Sequence, residues 1–126
     1  MGSPQEELRE RAKQFAYRFI KLFRTLSKAT EAQVIGKQLL RSGTSVAANY
    51  RAAARARSQA EFISKIGIVV EEADETVFWL ECLADNGIVR PDLLRDLLRE
   101  ANELLAIFAA SQRTAKEHLQ AVPHAN

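Results

Sequence analysis

The chain has 126 residues, with 5 Gly, 3 Pro and a single Cys. That length suits one domain, the scarcity of Gly and Pro leaves little material for the turns of an all-β fold, and one Cys excludes an intrachain disulfide or a cysteine-built zinc site. The formal net charge of +2 hides a gradient, because residues 1–60 carry 12 basic and 4 acidic side chains whereas residues 61–126 carry 6 basic and 12 acidic.

The first helix is predicted over about 4–27. Ser3-Pro4-Gln5-Glu6 reads as a capping box, in which the hydroxyl accepts from the third amide and the Glu reaches back, and Pro4 falls at N1. Leu8, Ala12, Phe15, Phe19, Leu22 and Leu26 then recur at 4-3-4-3-4 spacing. The second helix, 31–57, opens at a like tetrad, Thr30-Glu31-Ala32-Gln33. Its seam of Ile35, Leu39, Ser42, Val46, Asn49 and Ala53 is mostly small, with Gly36 and Gly43 beside it. A mid-helix Gly costs ~1 kcal/mol relative to Ala, so either close backbone contact compensates or the helix breaks near Ser42-Gly43-Thr44-Ser45.

The third helix, 59–86, starts at Ser58-Gln59-Ala60-Glu61. It carries Ile63, Ile66, Val70, Ala73, Val77, Leu80 and Ala84, is interrupted by Gly67, and stops at Asn86-Gly87. The fourth, 91–118, begins at Pro91-Asp92 and carries Leu94, Leu97, Ala101, Leu104, Phe108, Ser111 and Ala115. Residues 120–126 read as a disordered tail. Heptad stripes joined by short connections predict an all-α domain, an antiparallel up-down-up-down four-helix bundle. The start of the chain lacks a basic stretch followed by an apolar one, and no apolar run approaches the ~20 residues of a membrane span. The expectation is therefore a cytoplasmic protein without a membrane partner.

Catalytic constellations are not found. Di-iron bundles need Glu-x-x-His pairs, and the histidines here, His118 and His124, are confined to the C-terminus. His118 suits a cation near a helix end. Gly43-Thr44-Ser45 lacks the glycines and lysine of a phosphate loop, and Cys82, between Glu81 and Leu83, has no basic activator. No enzyme activity, cofactor or metal is expected.

The basic residues are more informative. At 100° per residue Lys37, Arg41, Arg51 and Arg55 share one face of the second helix over roughly 27 Å, and the first helix carries Arg11, Arg18, Lys21 and Lys28 in a parallel row. Such rows suit a phosphate backbone; the competing readings are a solvated face or a surface that meets the acidic third helix of a neighbouring copy. On that third helix Ile68, Phe78, Trp79 and Cys82 lie among Glu71, Glu72 and Glu75, opposite the core stripe. Aromatic side chains ringed by charge point to a homo-oligomer interface.

Two segments carry a resemblance. Residues 33–51, QVIGKQLLRSGTSVAANYR, together with Ala60-Glu61-Phe62-Ile63-Ser64-Lys65-Ile66 and residues 71–81, EEADETVFWLE, resemble signatures of the bacterial 23S rRNA intervening-sequence protein family, also called the four helix bundle protein family. The resemblance covers roughly residues 5–118. It implies an antiparallel bundle that assembles into a ring-like homopentamer. Some members are encoded inside 23S rRNA genes, and a related branch of accessory proteins from diversity-generating retroelements binds nucleic acid and a reverse transcriptase; for most members no biochemical activity is established. One departure is Ala52, where the family often has Glu.

The leading expectation is a non-enzymatic oligomeric module that binds RNA or DNA backbone through Lys37, Arg41, Arg51, Arg55 and Arg57, helped by Arg11, Arg18 and Lys21. Ile68, Phe78, Trp79 and Cys82 would form the oligomer contact. The alternative is a protein–protein adaptor or structural module, for example one docking to a reverse transcriptase, without nucleic-acid binding.

Overall fold

Residues 2–121 are described by the computed structural model, which has four helices: α1 (Pro4–Thr25), α2 (Thr30–Ala54), α3 (Gln59–Asp85) and α4 (Pro91–Ala121). Hydroxyl caps start two of them. Ser3 Oγ accepts from the Glu6 amide at 3.1 Å and Ser58 Oγ from the Glu61 amide at 3.0 Å, satisfying amides that have no intrahelical partner. The capping box expected at Thr30 does not form: Ala29 is the cap residue and makes no side-chain bond. The tight connection is closed differently, because Ser27 Oγ accepts from the Ala29 amide and Gln33 Nε2 donates to the Ser27 carbonyl. At the far end of α3, Gly87 takes φ +65°, and the Ile88 amide returns to the Leu83 carbonyl at 3.0 Å. A residue with a Cβ would be strained there.

Two boundaries differ from expectation. Helix α2 ends at Ala54, so Arg57 stands in the connection ahead of Ser58. Helix α4 runs on to Ala121, so Gln120 and Ala121 are helical and not part of a tail; residues 122–126 of the expected tail lie outside the described residues.

Contacts between successive helices set the direction of each. A Cβ on Gly36 would meet Leu26 and Phe23, and one on Gly43 would meet Phe19. Thr76 Oγ1 lies 2.9 Å from Ser42 Oγ, Gln59 Nε2 reaches the Ala115 carbonyl, and Arg11 reaches Glu100. For α1–α2, α2–α3 and α3–α4 the contacting sequence numbers run oppositely away from a short connection, as in an antiparallel four-helix bundle. Helices α1 and α4 touch far less than the other neighbours do.

The core is filled by Phe15, Phe19, Leu39, Val46, Tyr50, Ile66, Val69, Leu80, Leu83, Leu94, Leu104 and Phe108. On α3 the fully buried positions include Val69, Thr76 and Leu83, while Val70, Val77 and Ala84 of the expected stripe are half-buried. α3 packs against both α2 and α4, so its buried arc is wider than a single heptad seam. Ser42 and Thr76 are polar but fully buried. Their hydroxyls meet each other and the Leu39 and Glu72 carbonyls, which removes the penalty of an unpaired polar group.

Gly43 is one of two α2 glycines packed tightly on side chains of α1 or of the residue just beyond its end. A Cβ there would stand 2.6 Å from Phe19 Cε2 and 2.8 Å from its Cγ, and the Phe19 ring is itself held edge-on against Phe15, centroids 4.5 Å apart. The helix is continuous through this point, so close contact, not a break, accompanies the glycine. Gly43→Ala adds ~1 kcal/mol of helix propensity but overpacks a filled site, at ~1–3 kcal/mol. We expect a net loss of about 1 kcal/mol in urea unfolding, with a smaller loss for Gly36→Ala because the Leu26 methyl it meets can rotate away. Phe19→Leu should relieve the Gly43→Ala defect in a double-mutant cycle; strictly additive effects would show that the two sites do not press on each other.

Candidate nucleic-acid interface

Close approach of α1 and α2 brings their outer faces together at the end of the bundle away from the Leu26–Ala29 connection. Arg9, Lys13 and Tyr17 follow at four-residue spacing on α1, and residues one turn apart share a helix face. Opposite them stand Ala47, Ala48 and Arg51 of α2 and Arg55, the residue that follows its last turn. Together with Glu10 these residues line a groove of about 430 Å³. Four cations face one carboxylate, and that carboxylate accepts a hydrogen bond from Gln14 Nε2 at 3.0 Å. The alanines leave the floor shallow, and Lys13 Nζ stands 5.9 Å from the centroid of the Tyr17 ring, within cation–π range. Arg9 also borders a smaller recess of about 160 Å³ with Ser3, Gln5, Glu6 and Ala54. Arg9 contributes to the surroundings of Tyr50 as well, whose hydroxyl pKa is raised by burial and partly offset by that cation.

Of the eight basic residues expected at the interface, Arg51 and Arg55 line this groove, and Lys37, Arg18 and Lys21 are exposed on the same two helices. Arg57 is exposed in the α2–α3 connection. Arg41 and Arg11 are placed otherwise. Arg41 bonds Glu72 at 3.0 Å through Nη1, Glu75 through Nη2 and Gln38 through Nε. The Glu75 carboxylate also accepts from Trp79 Nε1 at 2.9 Å. Arg11 makes a two-pronged contact with Glu100, Nε at 2.8 Å and Nη2 at 2.7 Å, and a further one with Glu103 at 3.0 Å. Both guanidiniums pair with carboxylates of their own chain, unlike those of Arg51 and Arg55, which line the groove.

Those contacts also explain the charge gradient. Among the described residues, every ion pair between helices joins the basic half to the acidic half, α1 to α4 or α2 to α3. Part of the polarity therefore closes the bundle on itself. Sequence reasoning missed Arg9, Lys13 and Tyr17; their signal was the four-residue repeat, obscured because the row through Arg11, Arg18 and Lys21 held more cations.

The expected oligomer residues separate by exposure. Phe78 is 53% exposed and Ile68 37%, whereas Trp79 and Cys82 are half-buried, and Trp79 packs on the core of its own chain. Phe78 stacks edge-on against Trp79, centroids 4.9 Å apart. Among the described residues no three His, Cys, Asp or Glu side chains converge as metal ligands, and no helix is long and apolar enough to cross a membrane.

The family model for 23S rRNA-intervening sequence protein matches residues 5–110. The chain belongs to this family. A solved structure of a protein of unknown function from Bacteroides thetaiotaomicron, assigned to the S23 ribosomal protein family, is 31% identical, covers 86% of this chain and 97% of its own, and superposes with a TM-score of 0.80. No curated protein matches the chain. At Ala52, where relatives of this family were expected to carry Glu, the side chain is half-buried. Neighbouring Asn49 turns its amide to the Ser45 carbonyl and hydroxyl of its own helix, at 2.9 and 2.8 Å.

Hydrogen bonding from Arg11 holds the Glu100 carboxyl below its ordinary range, against an opposing effect of partial burial; the same bond raises Arg11. A carboxylate with a lower pKa folded than unfolded stabilises the fold above its unfolded value, ~4.3, and that contribution is lost as pH falls through the folded value. Glu100→Gln should lower stability by about 1 kcal/mol or less at neutral pH, and the gap should close in acid below about pH 4. Thermal melts across that range check this; a gap independent of pH would remove the pair from the account.

Proposed function

We propose that this protein is a non-enzymatic, homo-oligomeric module that binds the phosphate backbone of RNA or DNA through the α1–α2 groove. The observation that carries this reading is the gathering of Arg9, Lys13, Arg51 and Arg55 around one groove with Glu10 as the single acidic lining residue. Such a set holds phosphate by charge and by the forked donors of arginine. Lys37 and Lys21, exposed on the same helices, add positive charge outside the groove and raise the encounter rate with a polyanion. Contacts of this kind carry no base specificity.

Self-assembly is supported by Phe78 and Ile68, large apolar side chains exposed on α3 where an isolated bundle gains nothing from them. The pentamer implied by the family resemblance is the assembly we favour. Phe78→Glu tests it better than a change at Trp79, whose ring also packs the monomer core. The variant should keep its helical melt and fall to a smaller mass by light scattering; an unchanged mass would dismiss this face as the contact.

Binding to a polyanion is tested by a salt titration. Neutralising about four phosphates gives a slope of log K against log salt near −3 to −4. Charge reversal in the double variant Arg51→Glu, Arg55→Glu should abolish retention on filters, while Arg41→Ala should leave it nearly unchanged. Absence of retention by the parent protein at low salt would exclude the reading and favour a protein adaptor.

A further inference from the structure

The α1–α2 groove contains something that a plain phosphate clamp does not need. Tyr17 is 43% exposed and stands among the four cations of the groove, facing the side of α2 where Ala47 and Ala48 present only methyl groups. The large side chains around it are charged, so a flat apolar group entering the groove meets the ring first. We infer that the groove takes single-stranded nucleic acid, with one unpaired base stacked on Tyr17 while Arg9, Arg51 and Arg55 hold the flanking phosphates. The inference rests on the nucleic-acid reading of the same groove and narrows it to a strand class.

The physical reason is geometric. In a duplex both faces of a base are covered by its neighbours, and an aromatic ring lining a groove cannot stack on them. An unpaired strand can turn a base out, and aromatic stacking combined with a positively charged track is how proteins hold such strands without reading sequence. The volume, about 430 Å³, falls within the range of sites that enclose a small organic ligand. Lys13 Nζ, 5.9 Å from the ring centroid, lies near the outer limit of cation–π attraction. Its contact is weaker than a stacked base, and a long flexible stem lets it swing to a phosphate when a base enters.

The test compares three probes of equal length: a single-stranded oligothymidylate, the same strand with abasic sites in place of every base, and a blunt duplex. Tyr17→Ala is expected to weaken binding of the oligothymidylate by roughly 5- to 100-fold with the slope against salt unchanged, because no phosphate contact is removed. Tyr17→Phe should bind as the parent does. The abasic strand should bind parent and Tyr17→Ala equally, at the weakened level. Helical melts of both variants establish that they fold. If Tyr17→Ala binds the oligothymidylate as tightly as the parent, or if the parent does not distinguish the abasic strand, the stacking site is overturned while backbone binding stands. If the parent binds none of the three at low salt, both fall together.

Discussion

The contact between Gly43 of α2 and the ring of Phe19 governs much of what this bundle can do. Only a residue without a Cβ lets α2 settle on that ring, and the ring also packs edge-on against Phe15. The residues that follow Gly43 on the α2 side include Ala47 and Ala48, whose side chains are small. The outer faces of both helices then meet across a shallow groove instead of being pushed apart. The cations at residues 9, 13, 51 and 55 line one groove where α1 and α2 pack together, although the two pairs are far apart in sequence.

Charge in the molecule divides into two uses. Carboxylates of α3 and α4 pair with Arg41 and Arg11, linking the helices along two seams. The seam between α1 and α4 relies on this most, since the two helices otherwise touch little. Cations on the α1–α2 face have no comparable acidic wall. A net charge of +2 therefore understates the positive potential at the groove, where four cations meet one carboxylate, and overstates it along the seams.

Much of the architecture could be read before the fold was known. Ser3 and Ser58 act as caps, the glycine at 87 ends α3, and the stripes on α1 and α4 are the buried faces. Where the reading slipped, the deciding contact came from elsewhere in the chain. Thr30 did not cap because Gln33 and Ser27 close the turn by a route that the local tetrad does not encode. Val69, Thr76 and Leu83 were missed because burial on α3 depends on two neighbours, and a single heptad seam follows only one. By spacing alone Arg41 shares the row of Arg51 and Arg55, and Arg11 belongs to a parallel row on the first helix. What separates them is the carboxylates 31 to 92 positions away, which no local pattern reports.

The central claim is that the α1–α2 groove is where nucleic acid lies. Photocrosslinking of a short radiolabelled oligonucleotide to the full chain, followed by mass spectrometry of the crosslinked peptides, tests it most directly. The account predicts adducts concentrated on the peptides covering residues 9–17 and 47–55. Adducts confined to α3 and α4, with none on those two segments, would contradict it.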